Sequence, residues 1–230
     1  MVVHVFSSSF QGLLIHTQVL SDVASGNAPW YERAPIVQAK VCGMLFQKTL
    51  ISEVVLVVAK RIGDHRGYFS ETFREDEFLQ NVGGFKFVQD NQSLSAEVGT
   101  IRGLHFQLDP RAQGKLVRCV AGAILDVAVD IRVGSPTYGQ HVKAELTADN
   151  GHQLWVPPGF AHGFCTLEPN SIISYKVTDY YSHEHDRGLL WNDPELDIEW
   201  PFDAEAAVLS AKDKLQPKLA DLQATFVYKA

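Results

Sequence analysis

Four residues of this chain have side chains that can move protons: His105, Lys115, Tyr175 and Asp213. A histidine can remove a proton from carbon, and a tyrosine can return one. A carboxylate can orient the histidine, and a lysine can stabilise negative charge that develops on an oxygen. Together these are the groups needed to move protons at carbon atoms next to a ketone. An isolated histidine is more often a hydrogen-bonded core residue, so the prediction depends on the sequence around each of the four.

The composition is that of an ordinary globular protein and limits the kind of partner. The chain has 230 residues, of which 46% are hydrophobic and 20% are charged, and its formal net charge is −7. This length accommodates one domain with a core. The negative charge disfavours a nucleic-acid surface, although a small cationic pocket for a phosphorylated ligand is compatible with it. We therefore expect no nucleic-acid partner.

The cysteines and the N-terminus indicate the cellular compartment. Cys42, Cys119 and Cys165 are too few and too widely spaced for a disulfide framework or a zinc site, so free thiols are expected. No segment has the length of a membrane span. Met1–Leu20 lacks the early basic residues of a signal peptide. We therefore expect a cytoplasmic protein with no membrane partner.

Most of the chain after residue 50 has the pattern of short strands. Leu125–Ile131 places four bulky apolar side chains on one face and Asp126 and Asp130 on the other. Val54–Val58 is a continuous apolar run, typical of a strand covered on both faces. Further strand candidates are Lys115–Val120, Val142–Leu146, Gln153–Val156 and Ile172–Val177. Many short strands separated by turns indicate a sandwich or a barrel.

Helical patterns are sparse, and the first 43 residues differ from the rest. Glu75–Asn81 predicts a short helix, and Ser210–Lys214 predicts a helix start with Ser210 as the N-cap. Residues 1–43 have little periodicity, whereas the strand pattern begins directly after Met44. We predict an appendage at 1–43 and a single domain at 44–230. The appendage has two interpretations: upstream sequence read from too early a start codon, or an extension used for oligomer contacts.

Two segments resemble the two motifs of the cupin superfamily, whose double-stranded β-helix usually binds a metal through three histidines and a glutamate. The second motif is matched by Gly151, Pro157, Gly159 and His162. His105 fits the first motif, but Gln107 stands in the place of its second histidine. Two histidines without thiolate or carboxylate partners make a poor site for a first-row metal. The resemblance therefore implies an all-β cupin-type jelly roll with a few short peripheral helices and no bound metal.

Eight segments resemble, in order, those of the dTDP-4-dehydrorhamnose 3,5-epimerase family. They are Gly63–Glu71, Gln89–Ser93, Arg102–His105, Gln113–Val117, Pro157–Phe164, Tyr175–Tyr181, Gly188–Pro194 and Leu209–Asp213. The resemblance implies an isomerase that converts dTDP-4-dehydro-6-deoxy-D-glucose to dTDP-4-dehydro-L-rhamnose. It also implies that the enzyme needs no cofactor and is a homodimer with strand exchange at the N-terminal side.

The resemblance also implies a role for each candidate residue. His105 matches the general base, Asp213 the carboxylate that holds it, and Tyr175 the acid on the opposite face of the sugar. Lys115 matches the cation that stabilises enolate charge. The residues that match substrate contacts are Arg66 and Arg102 at the diphosphate, Gln89 and Asn91 at other polar groups, Phe69, Glu71 and Tyr181 at the thymidine, and His162 at the side of the pocket.

Three alternative functions stay open. Some members of the family invert only C3 or only C5 of a related deoxysugar and retain much of the same dyad, so a monofunctional epimerase is the first alternative. A non-catalytic sugar-nucleotide-binding cupin is the second, and the intact set of proton-transfer residues argues against it. A metal-dependent cupin oxygenase is the third, and Gln107 disfavours it.

Overall fold

The computed structural model describes residues 43–223 and 226–229. The predictions made for residues 1–42, including Cys42, lie outside the described residues. Cys119 and Cys165 are buried free thiols, as expected. Within the described ranges, no helix is long and apolar enough to cross a membrane.

The fold is a jelly roll built from two sheets, and the predicted all-β class is confirmed. The strands are β1 (Leu45–Lys48), β2 (Val55–Val58), β3 (Arg61–Asp64), β4 (Gly67–Ser70), β5 (Gln89–Ser95), β6 (Thr100–Gln107), β7 (Lys115–Ala121), β8 (Ala123–Asp130), β9 (Arg132–Val133), β10 (His141–Thr147), β11 (His152–Val156), β12 (Phe160–Thr166), β13 (Ser171–Val177), β14 (Asp186–Gly188), β15 (Val208–Leu209) and β16 (Phe226–Val227). The first sheet has the order β1-β2-β11-β7-β13-β5, and the second has the order β10-β8-β12-β6-β14. β15 adds to the second sheet by pairing in parallel with β6.

Two small pairs of strands lie outside these sheets. β3 and β4 form an antiparallel hairpin, and β9 pairs in parallel with β16 near the C-terminus. The hairpin contains the predicted ligand residues Arg66 and Phe69, and Glu71 directly follows it. These three residues are therefore carried by an element separate from both sheets.

An aromatic layer covers the outer face of the first sheet. The helix α1 (Glu75–Asn81) has the bounds predicted from the sequence, and it buries Phe78 against Trp155 of β11 at a ring-centroid distance of 5.1 Å. Leu116 of β7 belongs to the same apolar cluster. Because side chains alternate along a strand, Lys115 faces the other way, into the space between the sheets.

The alternating pattern of β8 is present, but neither face is exposed to solvent. Val127 and Val129 pack against C-terminal residues such as Leu196 and Leu219. Asp126 and Asp130, on the other face, are both 0% exposed. The sequence marked this second face as polar, and the structure places it inside the protein, where each carboxylate has hydrogen-bond donors nearby.

The C-terminal segment crosses the second sheet in short turns. It contains three 3-10 helices, at Pro194–Leu196, Asp213–Leu215 and Leu219–Asp221. The predicted helix at Ser210–Lys214 is therefore a single 3-10 turn that starts at Asp213. The parallel pairing of β15 with β6 brings this turn next to β6.

Candidate active site

His105 and Asp213 form a hydrogen-bonded pair although they are far apart in sequence. The His105 Nε2 atom lies 2.5 Å from Asp213 Oδ1. The Asp213 side chain is buried, and its backbone N–H donates to Ser210 Oγ at 3.1 Å. Ser210 thus makes the capping contact predicted for it, although the turn is 3-10 rather than α-helical. An aspartate in this position can fix the orientation of the imidazole ring.

The environment of Asp213 keeps its carboxylate ionised. Burial alone would raise the pKa of this group, but the hydrogen bond and charge of His105 act in the opposite direction. The Ser210 side chain and the Gly103 backbone also favour the charged form, and the net effect is a lowered pKa. A carboxylate that remains charged can stabilise a protonated His105, which is the state that forms after His105 removes a proton.

A cavity of about 400 Å³ opens beside this pair, between the two sheets. Six of the residues singled out from the sequence line it: Gln89, Asn91, His105, Lys115, Tyr175 and Tyr181. The volume is in the range of a small-molecule site. His105, Lys115 and Tyr175 therefore meet in one space that can hold a ligand.

Lys115 is positioned next to the histidine by the backbone of β6. Its Nζ atom donates a hydrogen bond to the His105 carbonyl oxygen at 3.1 Å. Burial disfavours the ammonium form and lowers the pKa of Lys115 to about 8, against the opposing charges of Asp126 and Asp186. At neutral pH most of this side chain is still an ammonium, which can stabilise an oxyanion in the cavity.

Tyr175 approaches the cavity from the other sheet. It lies on β13 in the first sheet, whereas His105 lies on β6 in the second. Burial raises the pKa of the Tyr175 phenol, against the opposing charge of Arg102. The hydroxyl therefore stays protonated at neutral pH and can act as a proton donor. A ligand between the sheets would have a base on one side and an acid on the other.

His162 is hydrogen-bonded in the interior rather than lining the cavity. It is the direct cross-strand partner of His105, so the two side chains lie on the same face of the sheet. Its Nε2 atom is 2.8 Å from Asp126 Oδ1. Burial lowers the pKa of His162 despite the nearby carboxylate, which favours the neutral ring. Among the described residues, the second carboxylate oxygen of Asp126 has no hydrogen-bond partner.

The remaining predicted ligand residues do not line this cavity in the single chain. Phe69 is 65% exposed on the β3–β4 hairpin, and Arg66 pairs with Asp64 at its tip. Glu71 lines a different surface depression, together with Phe69. Arg102 donates to Ser95 Oγ and to a backbone carbonyl oxygen, each at 3.0 Å.

Several residues that were not proposed as site residues from the sequence belong to the same region, among them Phe106, Gln107 and Gln113, which line the cavity. Asp186 and Lys212 line the cavity and form an ion pair, and Asp186 Oδ2 also accepts a hydrogen bond from the Tyr181 hydroxyl at 3.3 Å. Lys212 directly precedes Asp213 in one of the family-like segments. This position could have identified Lys212 as a site residue from the sequence. For Asp186 and for the buried Asp126, nothing in the local sequence pattern distinguished them from structural carboxylates.

The described histidines and carboxylates of this region do not form a set of metal ligands. Within residues 43–223 and 226–229, no group of three histidine, cysteine, aspartate or glutamate side chains could hold a metal ion. Both histidines in the cupin ligand positions are hydrogen-bonded to carboxylates.

Comparisons with known proteins agree in what they find. Residues 48–221 match the family model described as dTDP-4-dehydrorhamnose 3,5-epimerase. A dTDP-4-dehydrorhamnose 3,5-epimerase from Sinorhizobium fredii is 60% identical over 185 residues, which are 80% of this chain and 94% of that protein. One from Shigella flexneri is 49% identical over 175 residues, which are 76% of this chain and 95% of that protein.

Among solved structures, this chain is similar to a dTDP-6-deoxy-D-glucose-3,5-epimerase from Legionella pneumophila, solved in complex with dTDP-4-keto-L-rhamnose. The identity is 43%, the TM-score is 0.78, and the match covers 81% of this chain and 100% of that chain.

Proposed function

The chain belongs to the dTDP-4-dehydrorhamnose 3,5-epimerase family, and from this premise we propose how its own residues invert C3 and C5 of dTDP-4-dehydro-6-deoxy-D-glucose to give dTDP-4-dehydro-L-rhamnose. The enzyme is an isomerase. The observation that carries the proposed mechanism is the placement of the His105–Asp213 pair and Tyr175 on opposite sheets around one cavity.

The proposed reaction needs a base, an acid and a positive charge. The C4 ketone acidifies the hydrogens on C3 and C5, and His105 removes one of them as a proton. The resulting enolate oxygen is stabilised by the ammonium group of Lys115. Tyr175 then returns a proton to the same carbon from the opposite face, which inverts it. His105 afterwards loses its proton to solvent and Tyr175 regains one from solvent, so that the same pair can act on the second carbon. These steps only move protons and do not transfer electrons. We therefore propose no cofactor for the reaction.

We further propose that the working form is a homodimer in which the β3–β4 hairpin reaches the partner's cavity. The support is that the hairpin exposes apolar side chains that a soluble monomer would normally cover: Ile62 is 61% exposed, Tyr68 59% and Phe69 65%. Arg66 at its tip would bring a guanidinium group to the diphosphate. In this arrangement Arg66, Phe69 and Glu71 complete the partner's site. The proposed compartment is the cytoplasm.

The proposal is tested by following solvent deuterium into the substrate by proton NMR. The wild-type protein should exchange the hydrogens at both C3 and C5, and His105→Ala should lose exchange at both, by roughly 10²–10⁴-fold, because the general base is gone. Tyr175→Phe should still incorporate deuterium, since His105 can take a proton and return one to the same face, but it should form little inverted product.

Circular dichroism of each variant controls for folding. A folded His105→Ala protein that keeps more than roughly a tenth of the wild-type rate would contradict the assignment of the base. Normal inversion by Tyr175→Phe would show that another group is the acid. Exchange at one carbon only in the wild type would identify the monofunctional alternative.

A further inference from the structure

Gln107 has no role in the proposed chemistry, yet its buried side chain is fully engaged with the backbone. It ends β6, two residues after His105, and is 3% exposed. Its Nε2 atom donates to the carbonyl oxygens of Arg111 at 2.6 Å and Tyr180 at 3.2 Å. Its Oε1 atom accepts a hydrogen bond from the Ser182 backbone N–H at 2.7 Å. Two of the three contacts are thus to the residues on either side of Tyr181.

Tyr181 depends on this backbone for its position. Its side chain is 56% exposed at the edge of the cavity, and its one described side-chain hydrogen bond is the long one to Asp186. Its backbone N–H donates to Gln89 Oε1 at 3.1 Å. Three consecutive residues, 180 to 182, are therefore each held by the side chain of a glutamine.

We propose that Gln107 is a positioning residue for nucleotide binding: it fixes the backbone on both sides of Tyr181 and so holds the phenol ring at the wall of the cavity. This inference rests on the proposed function, in which Tyr181 contacts the thymidine. It explains why an amide suits this site. A neutral amide supplies two donors and an acceptor at one end of a flexible side chain, which is what two carbonyls and one N–H require.

Other side chains can replace only part of this arrangement. Methionine has a similar length but cannot make the three hydrogen bonds, so Gln107→Met would leave these backbone groups without the partners that Gln107 provides. Glutamate would keep the acceptor for Ser182 but would place carboxylate oxygen against two carbonyl oxygens. Both substitutions should loosen the segment that carries Tyr181. Because Gln107 also lines the cavity, a positioning role has to be distinguished from a direct contact with the nucleotide.

A double-mutant cycle separates positioning of Tyr181 from a general effect on the fold. The dissociation constant for dTDP is measured by calorimetry for the wild type, Gln107→Met, Tyr181→Ala and the double variant. Each single change should weaken binding by roughly tenfold, and the double variant should be weakened by roughly tenfold rather than a hundredfold. The reason is that Gln107 has nothing to position once the ring is absent. Effects that multiply in the double variant would overturn the proposal.

A control variant and a second substitution of Gln107 complete this experiment. Thr166→Val also removes hydrogen bonds between a buried side chain and backbone groups, at a site that does not line the cavity, and it should leave dTDP binding unchanged. If Gln107→Met does not fold, the same cycle is run with Gln107→Glu. Failure of the wild type to invert the sugar would contradict the proposed function, whereas normal wild-type turnover with multiplying effects contradicts only the role of Gln107.

Discussion

The charge of the lysine in the cavity depends on the groups around it. Burial lowers the pKa of Lys115 to about 8, while Asp126 and Asp186 raise it and Lys212 lowers it further. His162 is another titratable group near Lys115, and the charge of Lys115 lowers the pKa of the His162 ring. When the pH is close to the pKa of an amine, a nearby charge that shifts this pKa changes the protonated fraction the most. The buried Asp126 is therefore expected to affect catalysis although it does not line the cavity.

We predict that kcat/KM falls as the pH rises through about 8, because Lys115 loses the proton that stabilises the enolate. Asp126→Asn removes a charge that raises the pKa of Lys115, so the alkaline limb should move to lower pH. The measurement is the pH dependence of kcat/KM for both proteins. Asp149→Asn, at an exposed turn, is the matched control and should leave the limb in place. An unchanged limb in Asp126→Asn would separate this carboxylate from the lysine.

For individual residues, the sequence indicated which side chains belong to the site but not the distances between them. Arg-Gly-Leu-His and the segment ending at Asp213 indicated a base and its carboxylate, and the structure brings the two side chains to 2.5 Å. Their catalytic roles stay predictions. The partner of His162 was not predictable, because the alternation in β8 does not say which of its faces lies inside the protein.

The elements follow the sequence pattern most closely where they contain runs of apolar residues. The predicted helix Glu75–Asn81 has the observed bounds, and the candidate Ile172–Val177 lies within β13. β5 was not proposed as a strand. β5 carries polar side chains on both faces, since Gln89 and Asn91 face the cavity while Asp90 is exposed. Residues placed for a ligand thus replace the apolar residues by which a strand is recognised.

The helix α1 offers a test of how the first sheet is supported. Phe78 is 2% exposed and contacts Phe73, Phe87 and Trp155 at centroid distances between 5.1 and 5.8 Å. We predict that Phe78→Ala lowers the free energy of unfolding by about 3–5 kcal/mol, because it leaves a cavity in this layer.

The measurement is urea unfolding followed by tryptophan fluorescence. Leu79→Ala is the matched control, since Leu79 is the next residue of the same helix and is 57% exposed. It should change the free energy of unfolding by less than about 0.5 kcal/mol. Equal effects of the two substitutions would mean that the aromatic layer does not support the sheet.

At the scale of the whole molecule, the domain boundary stays a prediction. The family match begins at residue 48, and the described structure begins at residue 43. We predict that a chain starting at Met44 folds, forms dimers and turns over substrate like the full chain. Size-exclusion chromatography with light scattering and the NMR assay measure these properties. Loss of the dimer in the shorter protein would favour the second interpretation of residues 1–43, an extension used for oligomer contacts.

The long separation between His105 and Asp213 also has a consequence for the timing of protein synthesis. The two residues are 108 positions apart, and most of the jelly roll lies between them. At 5–20 residues per second, a ribosome adds the aspartate roughly 5–20 s after the histidine. During that interval the nascent chain carries a base, a lysine and, later, a tyrosine, but no carboxylate to orient the base. The ability to invert the sugar should therefore arise late in translation, after nearly all of the barrel has been made.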